Sequence, residues 1–201
     1  MPITAYNVRS ESFVENDFSF VSIAVTWKGK DYLERPTECK KTKVMWSHNS
    51  LYGVIGSKVG DFVECTGQGA AIRQEGLFTH RHIAETLINT FSGLKINELE
   101  WLENPYEKIL PNGKPRTKKA KWLPDKSVDL VHLYSDIFVD VNNPIHTEKD
   151  FFTVVRWDIM KHGKKNLSTW FMCNESTSKR LRKLKFKNLS IKKVSIHKQQ
   201  L

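Results

Sequence analysis

The chain has 201 residues, 39% of them apolar and 11% aromatic, enough to bury a full core and too apolar for a disordered chain. No apolar run approaches the roughly 18 residues of a membrane span, and the opening MPITAYNVRSESF lacks the basic start and apolar stretch of a secretory signal, so a cytoplasmic protein with no membrane partner is expected. The net charge of +10 is unevenly spread: residues 108–126 hold seven Lys/Arg against one Asp, residues 179–198 hold nine and no acid, and the rest of the chain is left at −5.

In chain order, FSFVSIAVTW (18–27) alternates and is rich in β-branched and aromatic residues, so it predicts a strand. KGKD (28–31) predicts a turn, and the polar residues around Pro36 a loop ending near VMWS (44–47). Residues 51–72 carry five of the ten glycines, which break them into short strands and turns. The spacing of Gly53, Gly56 and Gly60 is not a dinucleotide fingerprint, and no βαβ pattern frames it.

Thr79 is placed to cap a helix from near His80 to about Phe91, with Ile83, Leu87 and Phe91 on one face. Gly93 follows where a left-handed residue ends a helix, and a strand runs on through Trp101. Residues 103–127 read as a long loop interrupted by Pro105, Pro111, Pro115 and Pro124, with a turn at PNGK (111–114). VDLVHLYSDIFVDV (128–141) reads as extended or as two short elements, and NNP (142–144) as a turn. FFTVVRW (151–157) and STWFMC (168–173), joined by KHGKKN, make the best hairpin in the chain. Asn174 is placed to cap a second helix to about Lys185, and a last strand covers 189–196.

Two of these stretches echo each other at an offset of 95. Thr79 meets Asn174, and both types favour a helix N-cap. Phe91, Gly93, Leu94 and Ile96 meet Phe186, Asn188, Leu189 and Ile191, and Gly and Asn are the residues that most readily turn left-handed after a helix. In both copies the apolar alternation slips after the isoleucine, which predicts a bulge or twist at 97–98 and at 192–193. The expected fold is therefore α+β: a mostly antiparallel sheet with two main helices and two weakly repeated strand–helix–strand units. Residues 1–102 form an N-terminal half, 103–127 a basic proline-rich loop, and 128–201 a C-terminal half packed on the first in one compact unit.

The stretches GLFTHRHIAETLINTFSGLKINELEW (76–101) and FFTVVRW through LSIKKV (151–194) resemble bacterial immunity proteins of polymorphic toxin systems, in the group that includes the double-CxxCG immunity family. Both paired-cysteine motifs of that family are absent here, so a structural zinc is not carried over. The resemblance implies neutralisation of a cognate toxin by direct binding, with no catalysis and no cofactor. The two basic stretches then suit a toxin with an acidic face. The candidate partner-binding residues are Lys114, Arg116, Lys118, Lys119, Lys121 and Trp122 in the loop and Lys179, Arg180, Arg182 and Lys183 on the second helix.

The runner-up is nucleic-acid binding, because basic residues are interleaved with Trp122 and Phe186. Against it, no zinc-finger spacing, RNP-like strand or helix-turn-helix is present. A solvated basic face with no partner is the plainest reading of such a charge run. An enzyme is not expected: there is no G-x-S-x-G, H-E-x-x-H or P-loop. His80 and His82, at i and i+2 on a helix, would point to different faces, and the polar group His132, His146, Asp129, Asp136, Asp140 and Glu148 needs the fold to gather it. Cys39, Cys65 and Cys173 read as buried thiols rather than a disulfide or zinc set. Five of the tryptophans read as core, and Trp122 as exposed.

Overall fold

The stretches that share apolar spacing also share a backbone path. The computed structural model describes residues 3–10, 14–15, 18–19, 22–25, 41–47, 60–65, 76–101, 128–140, 148–159 and 165–196. In chain order these form β1 (Ile3–Ser10), β2 (Val14–Glu15), β3 (Phe18–Ser19), β4 (Ser22–Val25), β5 (Lys41–Ser47), β6 (Phe62–Cys65), β7 (Leu77–His80), α1 (Arg81–Thr90) and β8 (Lys95–Trp101), then β9 (Leu130–Tyr134), β10 (Phe138–Asp140), β11 (Phe151–Ile159), β12 (Lys165–Cys173), α2 (Glu175–Lys183) and β13 (Leu189–Ile196). The fold is α+β, with two helices and two main sheets among the described residues, and the helix–strand pair occurs twice as predicted. Gly93 at φ 85° and Asn188 at φ 52° both take a left-handed turn just before the strand that follows each helix, but neither ends its helix as expected: α1 ends on the extended Phe91, and α2 is left through Leu184 and the left-handed Lys185 at φ 53°.

The repeat is larger than its sequence signature. β7 and β8 both pair antiparallel with β9, which lies between them, and β6 pairs antiparallel with β7. β12 and β13 both pair antiparallel with β1, which lies between them, and β11 pairs antiparallel with β12. Each unit is thus a hairpin, a helix, a strand, and a further strand inserted between the two that flank the helix. In the first unit the inserted strand, β9, follows in the chain. In the second it is β1, carried at the other end of the chain. The stretch 1–102 therefore supplies a strand to the C-terminal sheet, and the stretch 128–201 supplies one to the N-terminal sheet.

Each unit is extended differently. The first closes into a six-stranded barrel of order β4-β5-β8-β9-β7-β6, and the second gains β10, parallel to β11. The predicted hairpin is present and longer than foreseen, in register from Phe151↔Cys173 to Ile159↔Lys165. Of the strand predicted over 18–27, the described part is β3 and β4; residues 41–47, read as the end of a loop, form β5.

Two expectations about local detail are corrected. Thr79 does not cap α1: it lies in β7, and its hydroxyl donates to the Asp61 carbonyl at 2.6 Å. His80 occupies the N-cap position without a side-chain bond, whereas Asn174 caps α2 as expected by accepting from the Thr177 amide at 2.8 Å. No bulge occurs at 192–193, because β13 pairs one-for-one with β1 from Ile3↔Ile196 to Ser10↔Leu189. The apolar pattern slips there because both faces of the strand carry apolar residues: Leu189 and Ile191 pack toward the helices, while Val194, opposite Ala5, faces the other side. In the first copy β8 does leave its partner at the predicted point. Lys95–Asn97 pair with β9, and Glu98–Trp101 pair in parallel with β5.

One core joins the two units. It contains Val8 of β1, Ile83 and Leu87 of α1, Val131 and Leu133 of β9, Phe151 and Phe171 of the second hairpin, and Leu181 of α2. The second face of the five-stranded sheet holds a separate buried cluster of Ala5, Val139, Phe152, Val154 and Met172. Both faces of this sheet are apolar, which keeps β1 from showing a clean alternation.

The units also dock reciprocally, through a dipeptide that occurs twice. Asp61-Phe62 opens β6 and Asp150-Phe151 opens β11. The Phe151 ring meets Phe91 edge-on at 5.6 Å, and the Phe62 ring meets Phe186 edge-on at 5.3 Å. The Ser92 amide and hydroxyl donate to Asp150 at 2.9 and 3.0 Å, and the Lys187 amide donates to Asp61 at 2.7 Å. The Phe151 amide donates to the Ser92 carbonyl at 3.1 Å, while the Phe62 amide donates to the Asn188 side chain at 3.2 Å. Each post-helix turn therefore holds the first residues of the other unit's hairpin.

Asp150 is the most heavily bonded of these carboxylates, since Thr177 also donates to it at 2.5 Å and Arg180 lies 3.9 Å away. Burial alone would raise its pKa, but the bonds from Thr177 and Ser92, with the charge of Arg180, outweigh burial and hold it below the usual carboxylate range. A carboxyl with a depressed folded-state pKa stabilises the fold above its unfolded pKa and loses that contribution as pH falls through the folded one. Asp150→Asn is expected to lower stability at pH 7 by about 2 kcal/mol. In melts of both proteins at a series of pH values the gap narrows as pH drops below about 4. A gap that stays constant down to pH 2 contradicts the assignment.

Candidate functional site

The basic surface is built on α2 and the two segments after it. Asn174 fixes where the helix starts, and Thr177, Ser178 and Leu181 form its buried face. The remaining positions are thereby turned outward, including all four predicted residues, Lys179, Arg180, Arg182 and Lys183. Glu175 in the first turn and Arg180, Arg182 and Lys183 in the last match the helix dipole.

The four are not equivalent. Lys179 pairs with Glu175 at 2.8 Å, an exposed i,i+4 pair of small energetic weight. Arg180 crosses to the other unit, donating to the Thr90 carbonyl at the end of α1 at 2.9 Å and lying 4.4 Å from the centre of the Phe91 ring. α1 has no basic residue in its own last turn, so Arg180 serves as its C-terminal cation. Arg182 donates to the Ile191 carbonyl of β13 at 2.8 Å. Lys183 is exposed, and among the described residues its ammonium makes no bond or ion pair. Lys114, Arg116, Lys118, Lys119, Lys121 and Trp122 lie outside the described residues.

Beyond the helix the positive surface continues through residues that the sequence-based site left out. Lys185 is exposed with a left-handed φ of 53°, Lys187 is exposed in the turn, and Lys192 and Lys193 are exposed on β13. Charge density was the only signal pointing to them, and it does not separate cations that hold the fold, such as Arg180 and Arg182, from those that face outward. Leu184 at 43% and Val194 at 36% relative exposure add apolar surface among these lysines.

Of the polar residues considered for catalysis, His146 lies outside the described residues, and His132, Asp129 and Asp136 are dispersed. His132 is buried and stacked on Phe78 at 4.7 Å, and its Nδ1 lies 3.0 Å from the Thr42 hydroxyl. Asp129 pairs with Arg81 at 2.8 Å, and Asp136 pairs with Lys95. Arg81 also forks onto both carboxylate oxygens of Glu98 at 2.9 and 2.8 Å, and these bonds, with Asp129, raise its pKa further above neutrality. His80 and His82 do come together, with ring centres 5.6 Å apart, because His80 ends β7 rather than lying within the helix. They line a shallow hollow of about 420 Å³ with Arg81, Glu85, Val128 and Asp129. The Nε2 of His80 donates to the Gly60 carbonyl at 3.1 Å. Among the described residues no three of His, Cys, Asp and Glu are grouped to hold a metal ion. Cys173 is buried, and burial first, then the nearby Asp150 charge, pushes its thiol pKa up to about 12, away from the reactive thiolate. No helix among the described residues is long and apolar enough to cross a membrane.

Compared with models of known protein families, with curated proteins and with solved structures, the chain finds no match.

Proposed function

We propose that the protein is an immunity protein: it binds a cognate toxin of a bacterial polymorphic toxin system through an acidic face of that toxin, in the cytoplasm, and neutralises it without catalysis. One observation carries the reading. The chain has no acid after Glu175, and Lys183, Lys185, Lys187, Lys192 and Lys193 are all exposed from the last residue of α2 along the turn and strand that follow it. A cationic face on regular structure speeds encounter with an acidic partner and disfavours basic ones. The test is co-expression with the toxin domain encoded by the neighbouring reading frame, read by host growth and by pull-down at low and high salt. Growth is restored, and the complex weakens as salt screens the contact. Continued toxicity beside the protein, or a neighbour that is not toxic, overturns the reading.

The alternative, a basic nucleic-acid-binding protein, draws on the same lysines. It predicts retention of random-sequence nucleic acid with a steep fall of log affinity on log salt, and a slope near zero counts against it.

A further inference from the structure

We propose that the outer edge of β13 is a docking rail for an acidic β-strand of the partner. The inference rests on the toxin-binding reading and names the contact through which that binding occurs. β13 is the last strand of the five-stranded sheet, in the order β10-β11-β12-β1-β13, and among the described residues no strand pairs with its outer side. It is eight residues long and in unbroken register with β1, so its outer backbone groups have the regular spacing that an added strand needs. One backbone acceptor, the Ile191 carbonyl, is already held from outside that ladder by Arg182 at 2.8 Å, so an added strand takes the place of that guanidinium there.

The placement of charge favours an edge over a face. Successive residues of a strand point to opposite sides, so Lys193 lies on the helix side of the sheet and Lys192 on the other. Lys192, Lys193, Val194 and Ser195 are all exposed. A flat anionic surface laid on one side of the sheet meets only one of the two lysines. An acidic strand added along the edge also alternates its side chains between the two sides, and so meets both, with Val194 offering an apolar cross-strand contact. Lysines on an edge also guard against edge-to-edge pairing of identical chains. The two roles agree, since the charges that repel a second β13 attract an acidic strand. A guard alone needs no exposed valine and no bulge-free register, and edges are commonly blunted by a bulge or proline that β13 lacks.

The experiment uses the full chain, labelled with nitrogen-15, and as probe a peptide matched to the eight residues of β13 in which glutamates and valines come in successive pairs, Glu-Glu-Val-Val repeated, so that glutamate faces both sides of the sheet. Controls are the lysine–valine peptide of the same pattern and a short single-stranded DNA. The expected result is shift changes and slowed amide exchange within 189–196 on adding the acidic peptide. The double substitution Lys192→Glu, Lys193→Glu lowers the peptide's affinity about tenfold or more. The proposal is overturned if the acidic peptide perturbs α2 and leaves the β13 amides unchanged, if the lysine–valine peptide binds as well, or if the DNA gives the same shifts at lower concentration. Failure of the peptide beside successful toxin neutralisation places the toxin elsewhere on the surface. Peptide binding beside failed neutralisation keeps the rail and removes the toxin.

Discussion

A chain that starts at residue 11, lacking β1, is expected to lose the whole five-stranded sheet rather than one strand of it. β1 is central: it pairs with β12 on one side and along all eight residues with β13 on the other, and it buries Ala5 and Val8 on opposite faces. Its removal leaves two adjoining edges unpaired and opens both the shared core and the cluster behind the sheet. The cost exceeds the roughly 5–15 kcal/mol that holds a domain of this size together. A permuted chain separates the loss of β1 from the loss of chain length. Ile3 lies opposite Ile196, so joining the two ends and reopening the chain between residues 10 and 14 places β1 after β13 as a hairpin. Circular dichroism and cooperative melting are expected to show a folded permutant and an unfolded truncation. A truncated chain that melts cooperatively near the parent's temperature contradicts the central place of β1.

Gly93 and Asn188 occupy equivalent places, yet they are expected to respond differently to substitution. At Gly93 the chain passes so close to the second unit that a Cβ would overlap the Phe151 carbonyl oxygen and lie 3.3 Å from Ile137 and Lys149 side-chain atoms. Gly93→Ala carries a left-handed penalty of about 1–2 kcal/mol and an overpacking cost of about 1–3 kcal/mol, together about 2–5 kcal/mol. Gly93→Asn suffers similarly although asparagine tolerates the backbone angle, because the obstruction is the neighbouring backbone. At Asn188 the side chain has room and a task, bonding both the amide and the carbonyl of Phe62. Asn188→Gly keeps the angle and loses those bonds, at about 1–2 kcal/mol. Urea midpoints for the three variants rank them, and a Gly93→Asn protein within about 0.5 kcal/mol of the parent shows that the close approach is not rigid.

These two residues also mark how far the sequence could be read. Local signals carried well: the apolar period of α1, the Asn174 cap, the left-handed turns at Gly93 and Asn188 ahead of β8 and β13, and the Phe151–Cys173 hairpin each depend on residues close in the chain. β1 escaped notice because apolar cover on both faces hides the alternation that announces a half-exposed strand. The Asp-Phe dipeptides at 61 and 150 escaped because they lie 89 residues apart while the helix–strand echo lies at 95, so one offset cannot show both. For the basic surface, the sequence marks the stretch but not the division of labour within it. Arg180 caps the opposite helix and Lys183 does not, and only the position of Thr90 and Phe91 separates them.

The place of β1 bears on how the molecule is made. The partners of the first unit leave the ribosome close together, and its last strand ends at Tyr134. β1 is synthesised near the start, yet the strand that pairs along its whole length ends at Ile196. At about 5–20 residues per second, β1 waits roughly 10–40 s for both neighbours. During that interval the nascent chain carries the first unit with its share of the common core uncovered and a strand with both edges open, the state in which holdase chaperones have most to bind. Slow codons placed after Tyr134 lengthen this exposure without changing any residue, so the yield of folded protein depends on the pace of translation as well as on the amino acids translated.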